Sequence, residues 1–321
     1  MYFCSRMESE NKKLTPMRFL TDVQQFPWGT AEYKLADLGF VDSMACEGYL
    51  KGNTLSDIMQ TYLERVVGDT AFEWYGTQFP VLVKRLNVKG RNSLHINPDD
   101  ETAEQRYDSF GKTALWTVEE AGPKARLYLG FKKDVSAEQF YRACMASEVE
   151  ELLYSVKPKV GESYLITPGL VHAAQDVSLL EVAECSELWF RLHDWGSEER
   201  ELHLEEAFDL IRLTGGERPR ARTEGLLAST DQFTVNQIRL QEPLKSHRDI
   251  DDTFLLYICI SGAATLQADG KNYRLKKGDV ILVPAEVNDF FLIPEEKDSI
   301  LHEVRMDPRE DNDIISAPVE E

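Results

Sequence analysis

No run of apolar residues in this chain approaches the ~18 that a membrane-spanning helix needs, which excludes a helical transmembrane protein. The five cysteines, at 4, 46, 144, 185 and 259, are odd in number and scattered, and no two of them form a C-x-x-C pair. That spacing argues against a zinc knuckle, a dithiol redox centre or a disulfide framework, and leaves the reduced thiols of a cytoplasmic protein as the expectation. Positive charge is short: 36 Lys and Arg stand against 56 Asp and Glu, a formal net charge of −20. Such a field repels nucleic acid and acidic membrane surfaces, so neither is expected as a partner. Any phosphate-bearing ligand must then be held by a local basic pocket. Residues 1–7 contain no apolar core segment, so no signal peptide is expected there, and Met7 is a second candidate start.

What is present describes an ordinary globular protein. The 321 residues, 42% hydrophobic and 10% aromatic, are enough for two domains. Leu55, Ile58, Met59, Tyr62 and Leu63 follow helical spacing, which predicts a helix over 54–67 with Gly68 as its cap. Further helices are predicted over 136–155 and 201–213. Strands are predicted at 81–83, 92–96, 114–118, 125–129, 164–166, 179–183 and 188–192. Gly215, Gly216 and Pro219 mark a linker. Beyond it the pattern is all-β, with short strands at 254–261, 264–268, 271–275, 279–283 and 290–293. The expected organisation is a tail over 1–13, a first domain over 14–215, a second over 216–307 and a tail over 308–321.

The most informative segment is Ser93-Leu94-His95-Ile96-Asn97-Pro98-Asp99-Asp100. Strand alternation points Ser93, His95 and Asn97 the same way. Pro98 cannot continue a ladder, so the strand should hand over there to an acidic loop. A second histidine, His172, follows residues 161–171 (GESYLITPGLV), which read as turn, strand, tight turn. Two imidazoles on facing strands of a small barrel can share one metal ion, and this arrangement resembles the site of a cupin. Residues 278–289 repeat the spacing of 161–172: Gly278 precedes Asp289 by eleven residues, as Gly161 precedes His172. Asp289 stands where the histidine would be, so the second repeat is expected to be metal-free. The predicted fold is mainly β, with two cupin (jelly-roll) domains and inserted α-helices.

Seven segments share one order with the type I mannose-6-phosphate isomerases. They are FPVLVK at 79–84, the segment at 93–100, GKT at 111–113, LGFKK at 129–133, PGLVH at 168–172, FRLHDW at 190–195 and RELHLEE at 200–206. The chain resembles that family from about residue 26 to about 212, and more weakly beyond. The resemblance implies an aldose–ketose isomerase that interconverts mannose 6-phosphate and fructose 6-phosphate through a cis-enediolate. Its partner would be a small sugar phosphate and its cofactor zinc. The residues leave two alternatives open: a catalytically inactive sugar-binding bicupin, or an isomerase for a different sugar. Oligomeric state is not readable.

The family binds zinc through the glutamine and histidine of Q-x-H-P-D-D, the glutamate of G-K-x-E and a later histidine. Here His95 stands at the glutamine position, Asn97 at the histidine and Ala114 at the glutamate, while His172 is retained. The implied metal ligands are therefore His95, Asn97 and His172, a set that would hold zinc less tightly than four good donors. The cationic positions are better kept: Lys84, eleven residues before His95; Lys112 of the G-K motif; and Arg191. Glu187 stands where the family usually has aspartate. The resemblance implies that Lys84, Lys112, Glu187 and Arg191 bind substrate. Lys112 and Arg191 would steady developing charge, and His95 is a candidate base. The family's early pocket segments W-G-G and G-E-S-W-E-x-S are altered around Trp28 and Tyr33, which removes a serine and a glutamate. Glu181 and Glu119 are candidate replacements for the lost carboxylate, although alternation from Ala114 turns Glu119 to the opposite face.

Overall fold

The computed structural model describes residues 12–197, 200–216, 218–248 and 253–307. Apart from Lys12 and Lys13, the two expected tails lie outside the described residues. The chain opens with a hairpin, β1 (Asp22–Phe26) and β2 (Gly29–Leu35), followed by three short helices, α1 (Leu55–Tyr62), α2 (Glu64–Val67) and α3 (Asp69–Tyr75). Next come β3 (Val81–Arg91), β4 (Leu94–Ile96), α4 (Asp100–Tyr107), the long β5 (Ala114–Phe131) and α5 (Ala137–Met145). The first half ends with β6 (Leu153–Val156), β7 (Ser163–Ile166), β8 (His172–Glu184), β9 (Phe190–His193) and α6 (Leu204–Ala207). These strands form one nine-stranded antiparallel sheet, in which β1-β2-β3-β8-β4-β9 run in order and β5 pairs with β6, β7 and β8.

After the linker, the strands are β10 (Gly225–Ser229), β11 (Thr234–Leu240), β12 (Leu244–His247), β13 (Leu255–Ser261) and β14 (Ala263–Ala268). They continue as β15 (Lys271–Lys276), β16 (Val280–Val283), β17 (Asp289–Pro294) and β18 (Ser299–Arg305). Two sheets result, in the orders β10-β11-β18-β13-β16 and β12-β17-β14-β15. Among the described residues, no helix is long and apolar enough to cross a membrane.

The spacing repeat seen in the sequence is a structural repeat. Gly161 and Gly278 both turn the chain at positive φ, 88° and 85°. Two residues after each begins a four-residue strand, β7 or β16, and eleven residues after each begins the next strand, at His172 or Asp289. Positive φ is the conformation that glycine adopts without steric cost. Asp289 is exposed and its Oδ1 lies 2.8 Å from His247 Nδ1.

Several predicted elements are shorter than their periodicity suggested. The 54–67 helix starts as expected, on a capping box between Thr54 and Asp57, but breaks at Leu63, whose φ is 49°. The helix predicted over 136–155 ends at Met145, because Leu153 pairs with Phe131 and adds β6 to the β5 ladder. The one predicted over 201–213 is a single turn at α6. The acidic loop expected after Pro98 is a helix, α4, capped by Asp99 Oδ1 accepting the Thr102 N–H at 2.8 Å. Tertiary pairing and capping decide here where local pattern alone was ambiguous.

The two halves share a core. Met59, Val66 and Phe79 from the first half pack in one apolar cluster with Phe233, Phe254, Leu256 and Val304 from the second. Phe79 and Phe254 meet with ring centroids 4.8 Å apart. A Phe254→Ala substitution is expected to destabilise the protein by ~3–5 kcal/mol, since it removes a fully buried aromatic from close packing. Because the cluster is common to both halves, the loss should show in one chemical-denaturation transition monitored from either barrel; two separated transitions would contradict a shared core.

The second barrel also buries a neutral histidine. His302 in β18 is fully buried, and its Nε2–H donates to Gln237 Oε1 at 3.3 Å. Its Nδ1 has no partner among the described residues. Burial pushes its pKa down to about 4. The unfolded chain, with an ordinary imidazole near ~6.5, binds more protons between those two values, so stability falls as pH drops through that window. The stability of His302→Leu relative to wild type should therefore rise as pH falls from ~6.5 to about 4. A difference that stays flat over that range would show that His302 is solvated.

Candidate functional site

The first barrel holds a cavity of about 190 Å³, and all seven site residues expected from the sequence line it: Lys84, His95, Asn97, Lys112, His172, Glu187 and Arg191. They come from β3, β4 and the residue after it, the turn before β5, β8, the approach to β9 and β9 itself. His95 and His172 are direct register partners across β4 and β8, with ring centroids 4.0 Å apart. Each Nδ1–H is held by a backbone carbonyl, Ser93 O for His95 and Leu170 O for His172, both at 2.8 Å. This fixes the tautomer and leaves each Nε2 with its lone pair, as a metal-ligating imidazole requires.

Both rings are neutral at pH 7. Burial is the main cause, and it pushes His95 down to about 4 although the Ser93 carbonyl opposes it. Burial and the neighbouring His95 hold His172 well below the ordinary range. An Nε2 that ligates a metal cannot also take a proton, so the expected base role for His95 requires that nitrogen to be free of metal.

Beside the imidazoles lies a buried quartet of charges. Lys84 Nζ is 3.2 Å from Glu181 Oε1 and also pairs with Glu187 Oε1. Lys112 Nζ is 3.3 Å from Glu181 Oε1 and 3.0 Å from Glu187 Oε1. Trp116 Nε1 donates to Glu181 Oε2 at 2.6 Å. Burial raises the Glu181 carboxyl, but Lys112 and Lys84 outweigh it and hold the group below its usual range; Glu187 is lowered for the same reasons. Burial alone would depress Lys84, yet the two carboxylates keep it above its ordinary value. With two ammonium groups set against two carboxylates, Lys84 is committed inside the protein and is not a free phosphate ligand.

Arg191 is the cation left at the cavity. Its Nε donates to Ser93 Oγ at 3.2 Å, its Nη1 to Glu201 O at 2.8 Å, and the guanidinium lies 4.9 Å from the Trp189 ring centroid. Burial and the nearby Arg200 lower its pKa, a sign that the pair is under-compensated. Arg200 in turn is held two-pronged by Asp194, at 2.6 and 2.5 Å. The rim is closed by the β1–β2 hairpin, where Phe26 and Trp28 stack at 4.9 Å.

Ala114 sits in an apolar cluster and is absent from the cavity wall, so nothing at that position replaces the missing carboxylate. Glu119 points away and pairs with Arg85 at 2.6 Å. Glu181 faces the cavity but is tied to Trp116 and both lysines. Among the described residues, no group of three or more His, Cys, Asp and Glu is placed to hold a metal ion. The donors available are the two imidazole Nε2 atoms and the Asn97 amide. That set fits a zinc ion, but loosely.

Trp116, Trp189 and Arg200 were not expected as site residues; Glu181, expected only as a replacement metal ligand, lines the cavity but is tied to Trp116 and both lysines. Glu181 reaches the cavity because β8 changes face part-way. His172 and Ala174 face the first barrel's interior, and so do Val177, Leu179, Glu181 and Ala183. The change of parity falls at Asp176, whose φ is 48°. Strict alternation from His172 would have put Glu181 outside. The three tryptophans of the cavity, Trp28, Trp116 and Trp189, carried only the weak signal of lying beside motif residues.

Comparison with known proteins agrees with this geometry. Residues 223–293 match the family described as mannose-6-phosphate isomerase, cupin domain. The mannose-6-phosphate isomerase ManA of Bacillus subtilis is 28% identical over 269 residues, covering 78% of this chain and 82% of the relative. The mannose-6-phosphate isomerase of Streptococcus mutans is 25% identical over 263 residues, covering 77% and 80%. The crystal structure of the Bacillus subtilis mannose 6-phosphate isomerase superposes with a TM-score of 0.79 at 21% identity, over 91% of this chain and all (100%) of that one. A zinc-bound mannose 6-phosphate isomerase superposes at 0.74 with 14% identity, over 91% and 100%. The fold is thus the mainly β cupin fold. Over most of its length the chain is similar to mannose-6-phosphate isomerases, and its residues 223–293 match their cupin domain.

Proposed function

We propose that this chain is an aldose–ketose isomerase that interconverts mannose 6-phosphate and fructose 6-phosphate in the first-barrel cavity. The observation that carries the reading is the pairing of two neutral imidazoles, each with a free Nε2, beside the Lys84–Lys112–Glu181–Glu187 quartet. Weak binding without chemistry would not need such a costly buried arrangement. Desolvating four charges is stabilising only when they are well paired.

His95, His172 and Asn97 would hold a zinc ion, with lower affinity than a four-ligand set. Bound there, zinc would supply Lewis-acid polarisation of the sugar's carbonyl oxygen. The remaining work falls to the chain's own side chains. Arg191, at the rim beside Arg200, takes the phosphate, because a guanidinium presents several donors to phosphate oxygens. Glu187 takes the proton from the carbon next to the carbonyl and returns it to the former carbonyl carbon, while the hydroxyl proton of the carbon first deprotonated passes to the former carbonyl oxygen. It is ionised at neutral pH, lies on the cavity wall and is steadied by both lysines. Lys112 stabilises the negative charge that develops on the enediolate oxygens. Trp28, Trp116 and Trp189 restrict water around the sugar.

The test is zinc content of the purified protein together with mannose 6-phosphate turnover before and after chelation. Turnover that falls on chelation and returns with zinc supports the reading; no turnover with zinc in excess sinks it. Replacing Asn97 with histidine (Asn97→His) should tighten zinc binding by at least about tenfold, as the amide gives way to a third imidazole.

Roles within the cavity separate by readout. Glu187→Gln should lower kcat by ~10²–10⁴-fold, and Glu187→Asp should recover much of the loss. Arg191→Ala should raise KM for the phosphorylated sugar by ~10-fold or more with little change in Tm. Lys84→Met should instead lower stability by ~3–5 kcal/mol, because it leaves a buried carboxylate under-compensated. If Lys84→Met kept its Tm and lost only substrate affinity, the quartet would not be structural.

A further inference from the structure

A second cavity, of about 1110 Å³, opens on the other side of Glu187, which lines both spaces. It lies between the α1–α3 helices, α4 and the segment after β8, and it holds none of the residues assigned to the isomerase reaction except Glu187. Its lining contains no lysine, arginine or histidine. Three large aromatics stand open on it: Phe40, Trp74 and Tyr107 are 62%, 53% and 37% exposed. Between them are carboxylates. Asp37, Glu104 and Asp108 take part in no ion pair among the described residues. Asp37 is nine-tenths buried, and its Oδ2 accepts the Phe79 N–H at 2.9 Å, whereas its Oδ1 has no partner among the described residues. Burial raises its pKa, with the nearby Asp42 adding to the effect, which no cation offsets.

A cavity of this size is at the upper end of small-ligand sites, and a wall of aromatic faces with a few buried polar groups is the usual lining of one. The absence of any cation rules out a phosphate or carboxylate ligand here, in contrast to the first cavity. Uncompensated carboxylates among open aromatic rings are the two features that together recognise organic ammonium groups: Coulomb attraction supplies one part and the ring quadrupole the other. A neutral sugar would satisfy the rings but leave the carboxylates without a counter-charge. We propose that this cavity is a second ligand site, for a linear aliphatic polyamine. Its methylene segments lie along Trp74, Tyr107 and Phe40, and its ammonium groups meet Asp37, Glu104 and Asp108.

Titration calorimetry on the full chain with spermidine tests this. The expected result is saturable one-to-one binding, weakened tenfold or more by Trp74→Ala and by the double variant Glu104→Gln, Asp108→Asn. All three side chains are exposed, so these variants should fold. Glu242→Gln with Glu296→Gln removes the same charge from the surface of the second barrel and should leave binding unchanged. Equal weakening in that control would mean diffuse attraction to an acidic protein and would overturn the proposal. So would absent binding, or mannose binding in spermidine's place with the same dependence on Trp74.

Discussion

The geometry of the first barrel depends on a buried exchange of charge between Lys84 and Lys112 on one side and Glu181 and Glu187 on the other. These four groups come from β3, the turn before β5, β8 and the segment before β9, so the quartet ties separate parts of the sheet at one point. Ions taken out of water are tolerated only when each finds its partner, which makes the arrangement all-or-none. It also sets the electrical environment of the two imidazoles next to it. They are buried against a cluster whose charges nearly cancel, and desolvation then decides that both stay neutral. Neutral rings with fixed tautomers are suited to donate electron pairs. The outward-facing Arg191 is left to meet an anion from solvent.

This division changes how the retained family residues read. In the sequence, Lys84, Lys112 and Arg191 all read as cations available to the substrate, with Lys112 and Arg191 also steadying developing charge. In the folded protein two of them are compensated and one is not. The distinction could not be drawn without Glu181, because Glu187 alone would leave a net positive pair. A protein with a strong overall negative charge thus keeps a local anion-receptive spot without any large basic patch.

Much of the fold was legible. The repeat of Gly161 and Gly278, each followed by a short strand and then by a residue at the same spacing, reflects a turn geometry that glycine serves, and it survives almost unchanged in the structure. The all-β pattern after the linker was equally plain, since short alternating strands and Asp-Gly turns carry local signals. The strands β1, β2, β6, β10, β11, β12 and β18 were not recognised. In the hairpin at 22–35 only β1 lacks alternation, since Ala31, Tyr33 and Leu35 of β2 alternate with polar residues and were a signal left unread; β18 is buried by neighbours that lie far away in sequence. The helix after 136 was overextended because a 3.6-residue apolar period persists past the point where sheet pairing takes over, whereas the chain after 207 leaves the helix for turn and irregular structure. At the site, all seven expected residues meet in one cavity, whereas Glu181, read from the sequence as a replacement metal ligand, balances the lysines instead. Its position depends on a backbone event at Asp176 that no side-chain pattern announces.

That event gives the length of β8 a meaning of its own. Asp176 acts as a phase shifter: His172 lies before it and Glu181 after it, and both reach the same space only because one half-step of pleat is lost between them. A single-residue insertion or deletion in the intervening stretch would leave every side chain chemically intact while turning Glu181 toward the opposite face of the sheet. The lysines would then be short of a carboxylate, and the imidazoles would sit beside unbalanced positive charge. Segment length between the histidine and the glutamate is therefore as much a component of the site as the residues themselves.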